Sequence, residues 1–168
     1  MTPAYNSIMK QLWYLMATVL LCLSCINAGP QKSTPKPKML TTADLQKLRW
    51  IEGSWRGSGI DQPFFYERYR FENDTTLAVD TLENDKVTDT TLFVLKDGEF
   101  GGGSEGSRYV ATALDDNSIT FDPVVKASNS FRWQRETKDS WKAVIAWPAK
   151  KDKPAGERIY NMERWPKP

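Results

Sequence analysis

From Phe64 to Trp165 the chain is a succession of short β-prone runs, each closed by a tight polar turn. That alternation constrains the fold more than any other feature. Phe64 to Glu72 is aromatic; Asn73-Asp74 ends it; Thr75 to Leu82 resumes with Leu77 and Val79 in alternation, and Glu83-Asn84-Asp85 turns the chain again. Val87 to Leu95 leads into Lys96-Asp97-Gly98-Glu99, where Gly98 can take the positive φ of a two-residue hairpin turn. Arg108 to Leu114, Ser118 to Asp122, Phe131 to Glu136, Trp141 to Trp147 and Arg158 to Trp165 follow. With Ser54 to Ser58 and a brief piece near Glu99 the total is about nine or ten strands. Hairpin-linked strands leave unpaired edges unless the sheet closes on itself, so the expected fold is all-β, an antiparallel up-and-down β-barrel. A two-sheet sandwich with Greek-key crossovers is the alternative, disfavoured by the short connections.

One short helix is expected before the first strand. Thr41 or Thr42 can accept from free backbone N–H groups as an N-cap, and Leu45, Leu48 and Ile51 recur at helical spacing until Gly53. Trp55 then opens an extended run among glycines, which suit a strand that bends or passes close under another segment. The stretch Leu48 to Gly59 resembles the Gly-x-Trp entrance of the calycin superfamily of lipocalins, fatty-acid-binding proteins and their relatives. Extended through Pro63-Phe64-Phe65-Tyr66-Glu67, it is similar to the opening of nitrobindin-type haem-binding barrels. The resemblance implies a calycin-like barrel closed by Gly53, Trp55 and a late-strand arginine over the indole. Arg164 is the first candidate for that role and Arg158 the alternative.

The first 25 residues are expected to be a signal peptide. Leu12 to Leu23 is an apolar run of signal-peptide length, too short to span a bilayer comfortably. It ends Leu21-Cys22-Leu23-Ser24-Cys25, which resembles the lipobox of bacterial lipoproteins and implies lipidation at Cys25, although Cys22 stands where leucine is usual. Cleavage after Ala28, giving a secreted soluble protein, is the alternative. Residues 26–39, with Pro30, Pro35, Pro37, Lys32, Lys36 and Lys38, have the composition of an extended tether, and residues 40–168 are assigned to the barrel. The expected location is the cell envelope, with a lipid anchor in a membrane.

Composition removes whole classes of function. Among 168 residues there is no histidine, which excludes Ser-His-Asp and Cys-His nucleophilic sites and histidine-ligated zinc, copper or haem. The histidine-held haem that the nitrobindin resemblance would imply is therefore not carried over, and no cofactor or metal is expected; tyrosine ligation, with Tyr69, Tyr109 or Tyr160 available, is the remaining alternative. Both cysteines, Cys22 and Cys25, lie in the leader, so the remainder has no thiol pair. Twenty-three basic against 21 acidic residues leave a net charge of +2, which gives no electrostatic footprint for nucleic acid.

No catalytic residue is assigned. Glu67, Asp80 and Glu163 sit in strand-like runs beside Arg68, Arg70 and Arg164, which reads as solvent-facing, salt-bridged alternation. The expected ligand is a small apolar or amphipathic molecule, with Tyr66, Tyr109, Trp133 and Tyr160 giving contact area and Arg68 or Arg132 receiving an anionic end. Gly101 to Gly106 is expected to be a mobile rim loop or a bulge. An interior filled by its own side chains, in a structural or interaction barrel, remains equally open, because which face of each strand points inward is not fixed.

Overall fold

The computed structural model describes residues 35–103, 107–125 and 128–165. Cys25, the leader and most of the tether lie outside the described residues. Ten strands form one closed antiparallel barrel: β1 (Gly53–Gly59), β2 (Phe65–Asn73), β3 (Thr76–Glu83), β4 (Lys86–Lys96), β5 (Glu99–Gly102), β6 (Arg108–Leu114), β7 (Ser118–Val125), β8 (Ser130–Arg135), β9 (Ser140–Trp147) and β10 (Gly156–Arg164). Each strand pairs with its neighbours in sequence, and β1 closes the ring against β10 with Trp55 opposite Arg164. No sandwich crossover occurs. The turns follow their chemistry: Asn84-Asp85 and Asp97-Gly98 both hold two successive positive-φ residues, the geometry whose twist matches a hairpin.

Before β1 the chain forms α1 (Thr42–Leu45), continued by a 3₁₀ turn over Gln46–Ile51. Thr41 caps α1 by accepting from the Asp44 backbone N–H, while the Asp44 carboxylate accepts from the Thr41 N–H at 3.0 Å. The three-residue spacing of Leu45, Leu48 and Ile51 suits a 3₁₀ turn, in which i and i+3 eclipse, and all three side chains are buried. Gly53 is the first residue of β1 rather than a helix cap. Its φ of +124° favours glycine, and a Cβ there would collide with the Arg164 guanidinium.

This N-terminal segment plugs one end of the barrel. Leu40 is buried, its N–H donates to the Gly98 carbonyl, and Lys38, inside the expected tether, donates its N–H to the Ala111 carbonyl. Above the plug, Trp50, Trp55, Tyr69, Trp133 and Trp141 meet edge to face with ring centroids 5.4 to 6.3 Å apart. Each such pair contributes roughly 0.5–1.5 kcal/mol beyond its burial. The closed half is therefore solid.

Candidate ligand cavity

Period-two alternation decides what reaches the interior. On β2, Phe65, Glu67 and Tyr69 point inward and Tyr66, Arg68 and Arg70 outward; on β8, Phe131 and Trp133 point inward and Arg132 outward; on β10, Tyr160 and Met162 point inward. At the end opposite the plug these inward side chains surround a cavity of about 590 Å³ that opens to solvent. Phe65, Tyr109, Phe131 and Tyr160 form its upper wall, with Tyr69, Phe93 and Trp133 deeper down. The mouth owes its shape partly to β1, whose inner face carries glycine where its neighbours carry aromatics. The Phe65 ring lies over Gly57, where a Cβ would strike it, and meets the Tyr160 ring edge-on at 5.5 Å.

Of the expected ligand-binding residues, Tyr109, Trp133 and Tyr160 line this cavity together. The other three do not. Tyr66 and Arg68 lie on the outer face, where both line a smaller pocket of about 240 Å³ and Tyr66 packs on Trp165 with centroids 5.2 Å apart. Arg132 is exposed beside the Asp115–Ser118 turn. The physical reason is the pleat: Arg132 is adjacent in sequence to two inward aromatics, so it cannot share their face. The anionic end expected to meet Arg68 or Arg132 has no such partner inside.

Glu67 is the cavity-lining residue that the sequence reading misplaced. It faces the cavity rather than solvent, and its Oε2 accepts a hydrogen bond of 2.7 Å from the Tyr69 hydroxyl. Burial pushes its carboxyl above the ordinary glutamate range, against the lowering effect of that bond. Burial first, then the nearby Glu67 charge and the hydrogen bond, pushes the Tyr69 phenol well above its usual value. Parity with Phe65 and Tyr69 was the signal that could have found it. No lysine or arginine lines the cavity among the described residues. At the rim Arg158 is exposed and donates to the Tyr160 hydroxyl at 3.4 Å.

Asp80, by contrast, is buried on the outer face, 1% exposed, between Arg68 and Arg70. Burial works to raise its carboxyl, but hydrogen bonds from Arg70, Arg68 and Thr90 outweigh this and hold it at about 2.

The closure residues meet at the plugged end. The Arg164 guanidinium carbon lies 3.8 Å from the Trp55 ring centroid, and its Nη1 donates to the Glu52 carbonyl at 2.6 Å. Trp55 donates its indole N–H to the Ile51 carbonyl at 2.6 Å. The last strand is thereby tied to the helix–strand junction, with the cation–π contact worth about 0.5–2 kcal/mol depending on desolvation. Arg158, at the opposite end, does not share this position. Gly101 and Gly102 belong to β5, paired on both sides, so the first part of the expected rim loop is strand; residues 104–106 lie outside the described residues.

These features define a class: a closed ten-stranded antiparallel β-barrel with one plugged end and one open, aromatic-lined cavity. No protein-family model matches the sequence, and no curated protein sequence matches it. Among solved structures, the chain is similar to the crystal structure of a protein of unknown function of the DUF3598 family from Nostoc punctiforme PCC 73102. The identity is 15% and the TM-score 0.46, over 83% of this chain and 53% of that one, so the chain spans about half the length of that neighbour.

Proposed function

We propose that this barrel is a non-enzymatic, calycin-like binding protein that takes a small apolar or amphipathic molecule through its open end. The observation that carries the reading is the cavity of about 590 Å³, the size of small-molecule sites, open to solvent at one end and walled largely by aromatic side chains. Trp133 in the wall supplies a reporter. Titration with apolar and amphipathic ligands should perturb tryptophan emission and raise the melting temperature, and Ala143→Phe, which fills the cavity, should abolish both effects. If no ligand acts at about 100 μM, binding is weaker than roughly −5.5 kcal/mol and the reading fails. A structural or interaction barrel is then the second reading, favoured by the solid lower half and by the exposed Leu92 and Val94 on the outer face.

The same reading places the carrier at a membrane, anchored by lipid on Cys25 and spaced by the Pro/Lys segment after it. Support comes from the apolar run ending Leu23-Ser24-Cys25. Cys25→Ala should move the protein to the soluble fraction; a mature N-terminus at Gly29 without lipid would refute the anchor.

A further inference from the structure

An aromatic cavity alone would accept many apolar molecules, but among the described residues this one is lined by a single carboxyl and no basic side chain. The Tyr69 hydroxyl spends its proton on Glu67 Oε2, so the pair as a whole offers acceptor capacity to the interior, chiefly through the other carboxyl oxygen. Tyr109 likewise directs its hydroxyl to Asn129 Oδ1, at 3.2 Å. The walls to either side are ring faces and edges from Phe65, Tyr160, Phe131 and Trp133, which suit a flat ligand and attract a cation.

Resting on the carrier reading, we propose that Glu67, positioned by Tyr69, is the polar anchor of the cavity and selects a flat apolar ligand bearing a hydrogen-bond donor, an aromatic or alicyclic amine in its ammonium form, over fatty acids and other anions. An ammonium group brings a counter-charge that the described lining residues lack, and charge-assisted hydrogen bonds are the strong ones. A carboxylate ligand would instead set two like charges side by side. The raised Glu67 carboxyl is consistent with this: an incoming cation favours its ionised form, so amine affinity rises with pH until Glu67 is fully ionised. The groups facing Glu67 do not duplicate its role. By register Trp55 of β1 and Thr81 of β3 are its cross-strand partners, the exposed Asp89 of β4 follows Thr81, Tyr160 of β10 lies beyond β1 on the same wall, Tyr109 of β6 also lines the cavity, and Arg158 remains at the rim.

The test is calorimetric titration of the full-length chain near neutral pH with three probes on one ring system: 2-naphthylmethylammonium, 2-naphthalenemethanol and 2-naphthoate. The expected order is amine, alcohol, carboxylate, with the amine at least about 10-fold tighter than the carboxylate. Glu67→Gln should cut amine affinity on the order of 10-fold and leave the alcohol within about threefold. Tyr69→Phe, which keeps the carboxylate but frees it from its tether, should weaken the amine by about threefold and gives a second variant should the first fold poorly. Equal or tighter binding of naphthoate, especially if Arg158→Gln removes it, overturns the anchor and leaves the carrier reading standing, as does amine binding unchanged in Glu67→Gln. Failure of all three probes to bind overturns both.

Discussion

Glu67 and Asp80 lie on adjacent strands, one row apart in register, yet the sheet separates them completely: Glu67 is opposite Thr81 on the inner face, and Asp80 is opposite Arg68 on the outer. Asp80 is buried and Glu67 half-buried. Asp80 receives two guanidinium groups and a hydroxyl and is held at about 2, whereas Glu67 receives one phenol and is pushed upward by burial. The outer network therefore uses the cations of β2 for structure, and Glu67 has no counter-charge among the described residues that line the cavity. A fold selected for stability alone gains nothing from the second arrangement, since an apolar residue there would cost less. The contrast separates a carboxylate that builds the barrel from one that is free to meet something else.

Breaking the outer side should give the largest effect. Asp80→Asn leaves Arg68 and Arg70 without their shared partner and should destabilise the barrel by about 1–2 kcal/mol near neutral pH, discounted because both arginines are more than a third exposed. The sign follows from a folded value below the unfolded one. The contribution is fully present above the ordinary aspartate value of about 4 and is lost as pH falls through about 2. Urea midpoints of the two proteins should differ near pH 7 and converge towards pH 2; equal midpoints at neutral pH would show that the network carries no stability.

Changing the inner acid should act the opposite way and more weakly. Because the folded Glu67 value is raised, ionising it opposes folding. The stability linked to the neutral carboxyl is complete below the ordinary glutamate value of about 4.3 and declines as pH rises through the raised one. Glu67→Gln should remove that decline and stabilise the ligand-free protein by about 0.5–1 kcal/mol at pH 8, with little change at pH 4. A loss of stability at pH 8 would mean that Glu67 is a structural member of the wall after all.

How far these faces could be read from the residues differs strand by strand. The strands themselves were legible, because Asn84-Asp85 and Asp97-Gly98 announce tight hairpins and the runs between turns have strand length. The plug was legible from Leu45, Leu48 and Ile51, though not its 3₁₀ continuation, which differs from an α-helix by one hydrogen-bond register. On β8 the aromatics Phe131 and Trp133 already placed Arg132 on the other face, so joining Arg132 and Trp133 in one site ran against the pleat. On β2 the pattern was balanced: Phe65, Tyr69 and Phe71 have one parity and Tyr66 the other, with charges on both, and only the closed register with β1 and β3 resolves it. A short arginine-rich run biased the reading towards a cationic site, when those arginines were committed to Asp80 and the outer surface.

The smallest expected effect is the sharpest check of that separation. Arg132 is exposed on the outer face of β8, with Thr120 and Val144 as cross-strand partners, and touches no cavity wall. Arg132→Gln removes a charge from the surface near Asp115 and Asp116 and should change stability by no more than about 0.5 kcal/mol. A ligand in the cavity should bind this variant within about twofold of the parent, whatever its charge, because solvent and the sheet lie between the guanidinium and the interior. The adjacent Trp133→Phe, one residue along and on the inner face, should alter both ligand affinity and emission. If Arg132→Gln weakened an anionic probe while Trp133→Phe did not, β8 would have its other face inward, and with it the whole assignment of Glu67 to the cavity would reverse.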